Sequence, residues 1–171
     1  MALLWSHREE GVLYQVRAAG SSRRLYTDGV LHTQFNPRRI VTGSVWDLLW
    51  LPVFFLAAPR IERVLLLGAG AGAVIRQLDI LFQPKEIVAV ENNPVHLRVA
   101  REFFGVTRQM TVLHQADAAE FIRRYRGGRF DLIIDDLFVA RGSVARRALS
   151  CDSRWMKQLV RHLQKDGILC V

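Results

Sequence analysis

The sequence predicts an α/β fold, a doubly wound parallel sheet preceded by a small antiparallel β unit. Three observations carry that expectation. From Arg63 onward, short aliphatic runs alternate with stretches of helical spacing, the pattern of parallel strands joined by crossover helices. The first run, Val64-Leu65-Leu66-Leu67, passes straight into Gly68-Ala69-Gly70-Ala71-Gly72. Glycines there allow a tight turn, and the helix that follows offers unpaired N–H groups to a ligand. Ahead of both, residues 1–33 read as short strands and turns, with Asp28-Gly29 as a strong tight-turn dipeptide.

The elements follow in order. Gly11 to Val16, Arg24 to Thr27 and Val30 to Thr33 are strand-like, and Gln34 to Thr42 is loop. Ser44 is placed to cap a helix through Val45–Trp50, ended or kinked by Pro52. Strand one covers Val64–Leu67, and its helix runs from Ala73 to about Phe82 before Pro84. Strand two, Glu86–Val90, ends at Glu91; Asn92 or Asn93 then caps a helix begun by Pro94 and closed by Gly105. Strand three is Met110–His114, and a helix carries Ala118, Phe121, Ile122 and Tyr125 on one face. Strand four is Phe130–Ile134, ending at Asp135-Asp136. Residues 137–151 read as loop. Asp152 or Ser153 opens a helix that keeps Leu159 and Leu163 inside, and Gly167 begins a fifth strand. The division expected is residues 1–42 as the β unit with its loop, and 43–171 as the ligand-binding α/β domain.

Composition narrows the class. Half the residues are hydrophobic and 23% charged, as in ordinary globular chains. The longest apolar region, Val45–Ala58, is broken by Asp47 and Pro52 and falls short of the roughly 18 residues a membrane helix needs. With no leader at the N-terminus, a soluble cytoplasmic protein is expected. Cys151 and Cys170 lack metal-ligand spacing. The net charge of +8 comes from arginines scattered in pairs, which read as solvated side chains rather than a nucleic-acid surface.

Ligands of open parallel sheets sit beyond the carboxyl ends of the strands. Gly68, Gly70 and Gly72 follow strand one, Glu91 and Asn92 end strand two, Asp117 and Ala118 follow strand three, and Asp135 and Asp136 end strand four. Glu91 or Asp117 alone reads equally well as a helix cap. Together the acids outline a cleft. An acid ending strand two suits ribose hydroxyls, and Asp117 suits an adenine amine. Asp135 and Asp136 suit a cationic group, or a proton leaving an attacking amine.

These segments together resemble the S-adenosylmethionine-dependent methyltransferase superfamily, with its Rossmann-like class I fold, and within it the spermidine synthase or polyamine aminopropyltransferase branch. Tyr26–Val30, Val64–Leu78, Val90–Pro94, Asp117–Phe121, Phe130–Ile134 and Leu163–Leu169 carry the likeness. Leu66, two residues before the first glycine, matches that branch where many methyltransferases have an acid. The resemblance implies decarboxylated S-adenosylmethionine, or S-adenosylmethionine itself, as co-substrate and a small amine or other small acceptor, with no metal. It implies that Glu91 binds ribose, Asp117 binds adenine and Asp136 deprotonates the amine. Three positions depart from the family pattern: Ala71 and Val139 stand where acids are usual, and no tyrosine lies between Phe35 and Leu51, where Trp46 is the nearest large aromatic. The chain also ends at strand five, so the antiparallel strands that close this fold are expected to be missing. The strand edge that this exposes suits a second copy of the chain as cover. A small-molecule methyltransferase, a catalytically silent nucleoside binder and a dinucleotide oxidoreductase are the other readings that the motifs admit.

Overall fold

The computed structural model describes residues 1–55, 60–142 and 144–171. Four antiparallel strands come first: β1 (Ala2–Glu9), β2 (Val12–Ala19), β3 (Ser22–Thr27) and β4 (Val30–Phe35), paired in chain order. Glu10-Gly11 and Asp28-Gly29 both take positive φ at each position, the geometry whose twist matches a hairpin. Alternate residues point inward, so Tyr14, Val16, Leu25 and Thr27 are buried.

Residues 45–55 form two short 3₁₀ turns, Val45–Leu49 and Leu51–Phe55, in place of the single helix expected. Ser44 occupies the cap position but its side chain makes no capping bond. Asp47, inside the first turn, instead holds the loop that precedes it. Its buried carboxylate accepts N–H bonds from Thr42 (2.8 Å) and Gly43 (2.6 Å) and one from Gln77 Nε2 (2.7 Å). That ties the 42–47 loop to the first long helix. The end of the apolar stretch, residues 56–58, lies outside the described residues. No helix among those described is long and apolar enough to cross a membrane.

The α/β part runs β5 (Arg63–Leu67), α1 (Ala73–Phe82), β6 (Glu86–Glu91), α2 (Pro94–Phe103), β7 (Val112–Gln115), α3 (Ala118–Arg124), β8 (Phe130–Asp135), β9 (Phe138–Arg141), β10 (Val144–Arg147), α4 (Ser153–Val160) and β11 (Leu163–Cys170). Five strands pair in parallel in the order β11-β8-β5-β6-β7. The order reverses at β5, whose residues Val64–Leu67 have no solvent exposure. Helix starts are capped by Asn93, Asp117 and Asp152, each accepting backbone N–H bonds.

Two expectations are corrected. Within the stretch read as loop, Phe138–Arg141 and Val144–Arg147 pair as the antiparallel strands β9 and β10. Leu163 pairs with Phe130 as the first residue of β11, so α4 stops at Val160. One apolar core joins β2–β4, α1 and α2 against one face of the parallel sheet, and α3 and α4 cover the other.

Candidate active site

The carboxyl ends of β5, β6 and β8 meet at the glycine turn. Gly68 N–H donates to the Val90 carbonyl (2.9 Å), and Asp136 N–H donates to the Leu67 carbonyl (2.8 Å). Gly68 takes φ +84°, and a Cβ there would lie 2.1 Å from the Asp136 carbonyl oxygen. No other residue fits, because both the backbone angle and the approach of a second backbone forbid it.

Glu91 organises the turn. Its Oε2 accepts from Gly70 N–H (2.8 Å), its Oε1 accepts from Asn93 N–H (2.9 Å), and His96 Nδ1 lies 3.9 Å away. Burial pushes its pKa up, but the His96 ring and the two amides outweigh burial and hold it below the ordinary carboxylate value. Each carboxylate oxygen keeps a further lone pair for a ligand hydroxyl. Ala71 N–H donates to Thr33 Oγ1 (3.0 Å), whose own hydroxyl donates to the His32 carbonyl (2.6 Å). β4 thereby fastens the turn to the N-terminal sheet.

Between that sheet and the strand ends lies a cavity of about 730 Å³. Gly68, Gly70, Glu91, Asn92 and Asp136 line it from the parallel sheet. The N-terminal sheet contributes Tyr14, Thr27 and His32. The 43–46 loop contributes Trp46, and the β9–β10 hairpin contributes Phe138, Val139 and Ala145. Thr27 Oγ1 lies 3.0 Å from His96 Nε2, and Asn93 Nδ2 donates to the Tyr14 hydroxyl (3.0 Å). His32 Nε2 is buried and finds no hydrogen-bond partner among the described residues. Burial, then the nearby His96, lowers His32 to about 4, with Glu91 acting in the opposite direction. An adjoining recess of about 110 Å³ is lined by Asp117, Ala118, Leu137 and Leu149, and it shares Gly68, Glu91, Asn92, Phe138 and Val139 with the larger space. Asp117 is exposed at its rim while its Oδ1 caps α3 through Glu120 N–H (2.8 Å).

The adjacent aspartates part company. Asp136 lines the cavity; burial first, then the negative charge of Asp135, raises it to about 6 against the lowering effect of Arg147. Asp135 has no exposure and lies off the cavity. Its Oδ2 accepts from Trp155 Nε1 (2.7 Å) and Arg147 Nη2 (2.8 Å). Expected as a ligand-binding residue, it is instead the anchor of the hairpin and of α4. Gly72 is corrected likewise. It is buried at the start of α1, where a Cβ would strike Val106, and it does not line the cavity. The sequence does not mark Tyr14, His32, Thr33 or His96: the first three reach Asn93, His96 and Ala71 from the N-terminal sheet only across the fold, and His96 sits on α2 with no motif around it.

The strand order, the glycine turn after the central strand and the acids on the following strand ends define an α/β fold of the class I methyltransferase type. The chain belongs to the spermine/spermidine synthase domain family, whose pattern matches residues 51–171. It is 29% identical over 125 residues to a spermine synthase from Arabidopsis thaliana, a match covering 70% of this chain and 33% of the plant protein. It is 34% identical over 83 residues to a polyamine aminopropyltransferase from Vibrio vulnificus, covering 47% and 28% of the two. Among solved structures, a probable spermidine synthase from Corynebacterium glutamicum superposes with a TM-score of 0.76 at 17% identity, over 99% of this chain and 62% of that one. The chain thus matches about a third of the length of the curated relatives.

Proposed function

We propose that this protein transfers an aminopropyl group from decarboxylated S-adenosylmethionine to an amine. The observation that carries the proposal is the convergence of the glycine turn, Glu91 and Asp136 on one cavity with an adjoining recess. In this reading the recess takes adenine beside Asp117 and Ala118. The free lone pairs of Glu91 take the ribose hydroxyls, and the larger space takes the aminopropyl arm and the acceptor.

Asp136 then supplies the proton chemistry. The amine lone pair attacks the carbon next to the sulfonium, the N–C bond forms as the C–S bond breaks, and the electron pair leaves with sulfur as methylthioadenosine. The ammonium produced passes its proton to Asp136 and on to solvent. A base must be ionised to act, so turnover rises as pH increases through about 6, the value to which burial lifts Asp136. Asp136→Asn should cut turnover by roughly 10²–10⁴-fold while leaving nucleoside binding intact. The test is thermal stabilisation by methylthioadenosine, followed by mass spectrometry of products from decarboxylated and ordinary S-adenosylmethionine. Transfer of a methyl group from the ordinary donor alone would replace this reading with a methyltransferase.

A further inference from the structure

We propose that His96 is a positioning residue for the nucleoside: backed by Thr27, its ring prepares the Glu91 carboxylate for the ribose and ties ribose recognition to the N-terminal sheet. This rests on the aminopropyl-transfer reading above and deepens the Glu91 half of the same site. Three buried side chains from separate elements stand in line: Thr27 on β3, His96 in the first turn of α2, and Glu91 at the end of β6. Thr27 Oγ1 lies 3.0 Å from His96 Nε2, and His96 Nδ1 lies 3.9 Å from Glu91 Oε1. All three residues line the cavity. Tyr14 meets the His96 ring edge-on with 5.9 Å between centres, and His32 lies 5.2 Å away, so the N-terminal sheet also fixes the plane of the ring.

These contacts decide which ring nitrogen carries the proton. A bare Nδ1 would turn its lone pair towards a carboxylate, and that arrangement is repelled. In the neutral ring Nδ1 therefore holds the proton and the Thr27 hydroxyl donates to Nε2. In a protonated ring both nitrogens donate, and Nδ1–H faces Glu91 all the same. At 3.9 Å the ring acts on Oε1 through charge and dipole rather than a direct bond, an influence that burial strengthens. Burial opposes the ionisation of Glu91, and the His96 ring leads the influences that restore it, ahead of the Asn93 and Gly70 amides. Ionisation matters for the ligand, because a protonated carboxyl gives up part of its acceptor capacity to an O–H, whereas a carboxylate accepts at both oxygens.

Calorimetric titration with methylthioadenosine and with its 2′-deoxy analogue measures how strongly the ribose hydroxyl is read. The unaltered chain should favour the ribose form at least roughly tenfold, the worth of a hydrogen bond to a charged group. His96→Leu removes the N–H and should cut that ratio at least roughly threefold, by weakening the ribose form and sparing the deoxy analogue. His96→Asn keeps an amide N–H near the place of Nδ1 and should restore most of the ratio, a rescue that a purely structural role does not give. Thr27→Val leaves the ring but releases Nε2, so it should lower the ratio by a smaller factor, and it carries the test if His96→Leu does not fold. Unchanged ratios in the His96→Leu and Thr27→Val chains overturn the role of His96 alone. So does an equal loss of affinity for both nucleosides, or a ratio near one in the unaltered chain. Failure of the unaltered chain to bind either nucleoside overturns the transfer reading, and the role of His96 with it.

Discussion

The two walls of the cavity are held by opposite means. On the Glu91 side the links are many and mostly backbone: Gly70 and Asn93 amides on one carboxylate, and Ala71 on Thr33. On the hairpin side one buried carboxylate, Asp135, grips Arg147 of β10 and Trp155 of α4. Distributed links share any loss, whereas a single buried ion pair concentrates it. The hairpin wall is thus the fragile one, although it presents the more apolar surface.

Removing the Arg147 charge is the severest test of that contrast. Arg147→Met leaves the buried Asp135 carboxylate with the Trp155 and Leu137 N–H donors but without its countercharge, so chemical denaturation should show a loss of about 3–5 kcal/mol. A loss below about 1 kcal/mol would make the two walls alike. Thr33→Val strands the buried Ala71 N–H and should cost about 1–3 kcal/mol by the same measurement, because the other links persist.

The smallest effect is in pH dependence. His32, lowered from 6.5 to about 4, binds fewer protons folded than unfolded across that window, so its contribution to stability is lost as pH falls through it. Asp136, raised from 3.8 to about 6, binds more protons folded, so its contribution is gained as pH falls from about 6. The two oppose each other. His32→Gln leaves the Asp136 trend uncovered, and the melting temperature of that variant should rise on acidification from pH 6 towards 5 relative to the unaltered chain. An unchanged profile would show that His32 is not held neutral by the fold.

Most of the parallel sheet was legible because its signals are local. An aliphatic run, a glycine turn and a capping Asn or Asp each lie within a few residues of the element they define, as at Asn93, Asp117 and Asp152. Glu91 was legible for the same reason, as an acid ending a buried strand. Strand periodicity says only that Asp135 and Asp136 point to opposite sides, and the resemblance alone put the base at Asp136; that Asp135 meets Arg147 and Trp155 depends on the hairpin and α4. The hairpin escaped because Phe138–Arg147 alternates weakly, with Gly142-Ser143 its one turn signal. His32, Thr33 and His96 belong to the site through contacts formed only by the tertiary fold. Trp46 was noted as an aromatic, but its place in the cavity depends on Asp47 bonding to α1.

The Arg147 link has an electrical consequence beyond its mechanical one. Arg147 lowers the proton affinity of Asp136 while Asp135 raises it. The residue that fastens the hairpin thus also sets the charge beside the carboxylate in the cavity, so a change at Arg147 reaches Asp136 electrically as well as mechanically.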